Sequence, residues 1–486
     1  MTAALRRPFG SLGVPNYRRY FAGQVISLSG NWMQTVAEVW LILHLTGSGT
    51  MVGLAAALQF LPVLLAGAWG GLLADRIPKR RLLTITQALM AIPAFTLWAL
   101  TATGGVETWM VLALIFTRGA VNAVDNPARQ SFVVEMVGPE RLVNAVSLNS
   151  VLVHTARIVG PATAGAIIAL AGVAPCFLLN TLTFVAMLVA LRRMDPAELR
   201  PAPRASREPG QLRLAMRHVL ETPSLRIPLA MMAVVGTLSF NFQVLLPLLA
   251  KFTWDGNASA YAALTAAMGV GSVAGALASG ARGRVSPRLL TVASVGFGAL
   301  MLLAAVAPTF PLQLAALVPL GAMSVTFAAG VNSSLQLAVT PEMRGRVMAL
   351  YSVVFLGSTP VGGPITGWLS EVAGPRAGLV LGGVAALAAG LVARRAFARA
   401  GVAAGAPVGT PAAPAPASAV ASAVAVAVAP AVAPAVAGDE AVAPAHRPAP
   451  ETPRLPAEPA GPQPHGARRR GAVHAAARRA RTSLRR

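Results

Sequence analysis

Charge is scarce in this chain. Of its 486 residues only 12% are Asp, Glu, Lys or Arg, against roughly 25% in soluble domains. It has two lysines, Lys79 and Lys251. Neither follows a Gly-x-x-x-x-Gly loop, so no phosphate cradle for ATP hydrolysis is indicated. A single cysteine, Cys176, rules out an internal disulfide and a cysteine-based metal site. No Glu-x-x-His pair or histidine cluster is present, so no metal, cofactor or catalytic constellation is indicated and the chain does not read as an enzyme. Met1 to Asn16 lacks the apolar core and small-residue cleavage site of a secretory signal. The first apolar run is therefore expected to remain as an anchor.

Apolar residues make up 55% of the chain, mostly Ala, Leu and Val, with 46 glycines beside them. They fall in runs of roughly 20 residues, the length that crosses a bilayer as a helix. Strands of a membrane barrel would instead alternate polar and apolar residues. The runs predict twelve spans, near 20–43, 51–74, 82–103, 109–130, 144–170, 174–192, 226–250, 258–280, 289–307, 311–336, 346–370 and 377–393. The fold class is an all-α membrane protein of two six-helix halves. Residues 1–192 form the first half, 193–225 a central loop and 226–397 the second half. Residues 398–486 form an Ala/Pro-rich, Arg-ending tail expected to be disordered.

The formal charge of +23 would suggest nucleic acid in a soluble protein. Here the arginines cluster before the first span, after the second, through the central loop, after the eighth and after the tenth. The opposite loops carry little beyond Glu107, Lys251, Asp255, Glu371 and Arg376. By the positive-inside rule both termini and the central loop are cytoplasmic and the chain sits in the cytoplasmic (inner) membrane, with no nucleic-acid partner. Within the central loop, Gln211 to Glu221 places apolar residues on one face, as a surface helix in contact with lipid would.

The halves repeat. Val137-Gly-Pro-Glu-Arg resembles Val339-Thr-Pro-Glu-Met at an offset of 202 positions, which also aligns Gly119 with Gly321, Gly160 with Gly362 and Gly165 with Gly367. Two repeated six-span halves describe a secondary transporter whose substrate site lies between them near mid-membrane. One chain supplies both halves, so a monomer suffices.

Charges inside spans are the functional candidates, since one at mid-bilayer costs about 2.5–3.5 kcal/mol on insertion scales unless it meets a partner or water. Arg118 and Asp125 share a face of the fourth span, two turns apart. They read either as a structural pair or as proton-coupling groups. Arg157 lies in the fifth span. Glu38 in the first reads either as an interfacial glutamate or as a second protonatable group. Asn31, Gln34, Asn241, Gln243, Asn332 and Gln336 are candidates for the substrate cavity. Proline and glycine at Gly160, Pro161 and Gly165 give a bend and close helix approach.

The loop Gly70-Gly71-Leu-Leu-Ala-Asp75-Arg76-Ile-Pro-Lys79-Arg80-Arg81 resembles the signature loop of the major facilitator superfamily, with Pro78 where a glycine is usual. Gly71, Asp75, Arg76, Lys79 and Arg80 would form a cytoplasmic latch. Together with Asn16-Tyr-Arg-Arg-Tyr-Phe-Ala-Gly-Gln24, Phe116-Thr-Arg-Gly119, Asp125-Asn-Pro-Ala-Arg-Gln-Ser-Phe132, Asn144-Ala-Val-Ser-Leu-Asn149 and Ala156-Arg-Ile-Val-Gly-Pro161, it is similar to the enterobactin-exporter-like branch of that superfamily. The resemblance covers about residues 10–395. It implies export of a siderophore, antibiotic or drug-like small molecule against proton influx. Two other expectations stay open: a facilitated importer or uniporter of a nutrient, and a membrane sensor whose tail is the output.

Overall fold

The computed structural model describes residues 7–200, 211–282 and 285–401. The expected disordered tail, apart from its first residues, lies outside these. Within them the chain is helical. In order come α1 (Pro15–Thr46), α2 (Gly49–Arg76), α3 (Lys79–Ala102), α4 (Thr108–Val137), α5 (Leu142–Ala171) and α6 (Ala174–Arg192). The short helix α7 (Gln211–Glu221) follows. The second set is α8 (Pro223–Leu238), α9 (Phe242–Leu248), α10 (Ala258–Arg282), α11 (Pro287–Ala305), α12 (Phe310–Ala338), α13 (Pro341–Ala373) and α14 (Pro375–Arg399).

Ten helical stretches are long and apolar enough to cross a membrane, α8 and α9 counting as one. Two more, α1 with 32 residues and α4 with 30, are long enough but more polar. They are the helices that carry Glu38 and Arg118. All twelve expected spans thus fall on helices. The helix over Gln211–Glu221 is present as expected, with Val219 buried and Met216 exposed.

The seventh span is interrupted, which the sequence did not announce. α8 ends at Leu238, Ser239–Asn241 break the helix, and after α9 the chain continues as a π-helical turn over Leu249–Thr253. No proline or glycine sits at the break. Instead the Ser239 hydroxyl donates to the Gly382 carbonyl at 2.7 Å, and the Asn241 amide donates back to the Thr237 carbonyl at 2.7 Å. Such side-chain bonds compete with the helical ladder.

The internal repeat is visible in packing. A Cβ on Gly119 would lie 2.4 Å from the Gln59 carbonyl oxygen of α2, and one on Gly321 would lie 2.1 Å from that of Met268 on α10. Gly160 meets Trp32 of α1 at 2.5 Å, and Gly362 meets the Thr237 carbonyl of α8 at 1.7 Å. Residues 202 positions apart therefore admit the equivalent neighbour helix in each set, where any larger residue would push the pair apart.

Candidate functional site

Among the described residues of the first six helices, Glu38 and Asp125 each centre a buried charge network. The outer one is built on α1. Glu38 is 2% exposed, and its carboxylate pairs with the Arg118 guanidinium of α4 at 2.5 Å. The Gln34 amide, one turn before on α1, donates to the other carboxylate oxygen at 2.6 Å. Asn180 of α6 donates to Gln34, and Thr183 donates to Asn180 at 2.8 Å. Glu38 is thus not an interfacial group. It is withdrawn from water while a guanidinium compensates its charge, and the two effects act in opposite senses on its proton affinity.

The inner network centres on Asp125, which is 1% exposed. One carboxylate oxygen accepts from Thr86 at 2.6 Å and Gln87 at 2.9 Å, both on α3; the other accepts from Arg129 one turn on. Arg129 also lies against the Tyr20 hydroxyl of α1, which in turn is bonded to Gln24 at 2.5 Å. The expected alternative of an Arg118–Asp125 pair is therefore corrected. Each of the two has its own opposite charge, because Arg118 reaches across to α1 while Asp125 stays in register with Arg129 at the i, i+4 spacing.

Arg157 is exposed on α5, its guanidinium 5.0 Å above the Trp32 ring. Gly160 and Pro161 are buried against α1, and Gly165 faces Ala262 of α10. Asn31 is half-buried and donates to the Ser27 carbonyl. Asn241 sits at the helix break with its carbonyl oxygen buried and unpartnered. Gln243 is half-buried beside it, and Gln336 donates to Asn332 at 2.5 Å on α12.

In the expected latch, Lys79 pairs with buried Glu135 of α4 at 3.0 Å, and Arg80 donates to the Leu191 and Arg192 carbonyls at 2.8 and 3.0 Å. These contacts tie α3 to α4 and α6, within the first six helices. Arg76 is exposed. Gly71 and Asp75 fall in the last turns of α2; the Asp75 side chain lies outside what the structure describes.

The two sets meet at the ends away from the arginine-rich loops. Glu371 of α13 accepts from the Ser48 hydroxyl at 2.7 Å and from the Thr50 backbone N–H at 2.8 Å, at the N-terminus of α2. Lys251 donates to the Leu43 carbonyl at 3.0 Å, near the C-terminus of α1. A carboxylate at a helix N-terminus and a cation at a C-terminus both complement the helix dipole. Between them Gly49 packs on Gly367 and Gly53 on Gly363. Sequence reading had treated Glu371 and Lys251 only as sparse outer-loop charges. It also missed Asn180, Thr86, Gln87 and Glu135, which are ordinary polar residues until their partners are known.

The family described as transmembrane secretion effector matches residues 7–431. The chain belongs to that family. Its members are membrane transporters of the major facilitator type, not enzymes. Among similar proteins, the enterobactin exporter EntS of Escherichia coli is 26% identical over 77% of this chain and 89% of its own length. The macrolide efflux protein A of Streptococcus pyogenes is 24% identical over 70% and 86%. The staphyloferrin A transporter of Staphylococcus aureus is 29% identical over 35% of this chain, a match spanning less than half of that relative. In fold the chain is similar to a bacterial homologue of the lysosomal transporter Spinster solved inward-facing and unoccupied. The TM-score is 0.64, at 15% identity over 79% of this chain and 98% of that one. This chain is therefore a multi-pass membrane transporter of small molecules.

Proposed function

We propose that the protein exports a small molecule across the cytoplasmic membrane by proton antiport and alternating access, as a monomer with both termini inside. The observation that carries this is the Glu38–Arg118 pair, buried between α1 and α4 where a structural pair adds little stability over apolar packing. Glu38 accepts a proton from outside, and its release from Arg118 accompanies the change of state. Asp125 with Arg129 is the second protonatable pair, and Arg157 faces the path between the sets. Asn31, Gln34, Asn241, Gln243, Asn332 and Gln336 supply neutral contacts to the cargo. The glycine contacts and the Glu371 and Lys251 clamps hold the outer side shut. The names of the relatives support siderophore- or macrolide-like cargo.

The reading is tested in inside-out vesicles with an acid interior and a pH-quenched dye. A catecholate siderophore, a macrolide and tetraphenylphosphonium are added separately. Export by antiport is expected to give proton release with at least one of them, and none in Arg118→Ala vesicles. Release of equal size in the variant would overturn the role given to the pair. Proton-independent movement of the same compounds would favour a uniporter.

A further inference from the structure

Along α1, polar side chains recur at Tyr20, Gln24, Ser27, Asn31, Gln34 and Glu38, alternating steps of four and three residues. That spacing keeps them on one helix face. All but Asn31 are buried, at 5% exposure or less. The stripe rises about 27 Å at 1.5 Å per residue, close to the roughly 30 Å of a hydrocarbon core. α4 carries a matching stripe of Arg118, Asn122, Asp125 and Arg129, and the two are joined at both ends. Glu38 meets Arg118 at one end, and Tyr20 meets Arg129 at the other.

The middle of the seam holds polar atoms that the protein itself does not satisfy. Among the described residues of α1–α6, three buried side-chain polar atoms have no protein partner: Ser27 Oγ, Gln87 Oε1 and Arg118 Nε. All three belong to this seam. Ser27 is the telling one. Ser29, two residues on, bonds back to the Val25 carbonyl at 2.9 Å, as helical serines do. Ser27 is fully buried and makes no such bond. Buried polar atoms of this kind are the ones that hold internal water.

We propose that a buried, water-bearing proton path runs along this face of α1 and joins the Glu38 carboxyl to the Asp125 carboxylate through Ser27. The path rests on the proton-coupled reading above and replaces a choice between the two carboxylates with a sequence of both. The proton leaves the Glu38 O–H and passes to water held by Asn31 and Gln34. The Ser27 hydroxyl accepts it and releases its own proton onward, and the Asp125 carboxylate receives it. One O–H bond breaks and one forms at each step, and no electrons are transferred. The charged and titratable groups facing the path among the described residues are Glu38 and Tyr20 from α1 and Arg118, Asp125 and Arg129 from α4, with Arg157 of α5 over the Trp32 ring next to Asn31. α3 contributes Thr86 and Gln87, and α6 contributes Asn180 and Thr183, all neutral. The amides hold the water. The hydroxyls of Ser27, Tyr20, Thr86 and Thr183 and water itself can both give and take a proton, and of these hydroxyls Ser27 is the one left without a protein partner.

The test uses the purified full chain in lipid nanodiscs. After a rapid acid step, the carboxylic C=O stretches are followed by time-resolved infrared spectroscopy, with Glu38→Gln and Asp125→Asn to assign the two bands. In the parent and in Ser27→Thr, both carboxyls are expected to protonate in one kinetic phase that slows in D2O. In Ser27→Val and the smaller Ser27→Ala, the phases are expected to separate by at least tenfold, with one carboxyl lagging. A single phase persisting in both Ser27 variants, or two phases already in the parent, would overturn the path while leaving proton coupling intact. A spectrum in which neither carboxyl responds to acid would overturn the coupling reading itself.

Discussion

Glu38 and Arg118 illustrate why a residue's depth on a span does not settle its environment. Glu38 lies eight residues from the end of α1, a place equally suited to an interfacial group, and only the approach of α4 buries it. Removing one partner of a buried pair costs about 3–5 kcal/mol because the other charge stays uncompensated, whereas removing both is far milder. Glu38→Gln is therefore expected to lower thermal stability in detergent, and Glu38→Gln with Arg118→Met to recover most of the loss. A single variant as stable as its parent would contradict the burial described. Asp125→Asn keeps an acceptor for Thr86 and Gln87 and strands only the partly exposed Arg129. Its cost is expected nearer ~1–3 kcal/mol by loss of one charged bond. Both carboxylates were legible in the sequence because charge is so rare in these spans. The partner of Glu38 was not, since it lies on a helix eighty residues away, whereas that of Asp125 stands at the i, i+4 spacing and was open to a sequence reading.

At the scale of the element, the turn between α1 and α2 is held from both sides. Glu371 sits on the N-terminus of α2 and Lys251 on the last turn of α1. Each charge at a helix end is worth about 0.3–1 kcal/mol, so loss of either clamp is expected to raise the outward-open population two- to fivefold on the scale of about 1.4 kcal/mol per factor of ten. A reporter is at hand. Cys176 is the only cysteine, so Cys176→Ser with Ala56→Cys places one thiol at the buried contact with Gly363. Labelling of this thiol by an impermeant maleimide from outside should quicken in Glu371→Gln and in Lys251→Met. It should quicken most in Gly53→Val, whose Cβ would lie 2.4 Å from the Gly363 carbonyl. Unchanged labelling in all three would contradict an outer gate at this turn. The break in the seventh span belongs to the same scale. The apolar run 226–250 read as one helix, because serine and asparagine break a helix only when partners such as the Gly382 carbonyl are in place.

At the scale of the whole molecule, twelve spans and their division into repeats were readable because bilayer thickness fixes span length and the glycine spacing survives in both copies. The inner latch was less readable. Lys79 and Arg80 bind within the first six helices, since Glu135 and the end of α6 offer nearer partners. Removing residues 402–486 is expected to leave vesicle transport unchanged; loss of transport on that removal would favour a role for the tail in output. The central claim, that Glu38 couples proton movement to export, is tested most directly by comparing two modes of transport in proteoliposomes carrying Glu38→Gln. Substrate counterflow needs alternating access but no net proton movement, whereas gradient-driven accumulation needs both. With a macrolide or siderophore that the parent accumulates, the variant is expected to keep counterflow and to lose accumulation by at least tenfold. Accumulation retained at the parent level would contradict the claim.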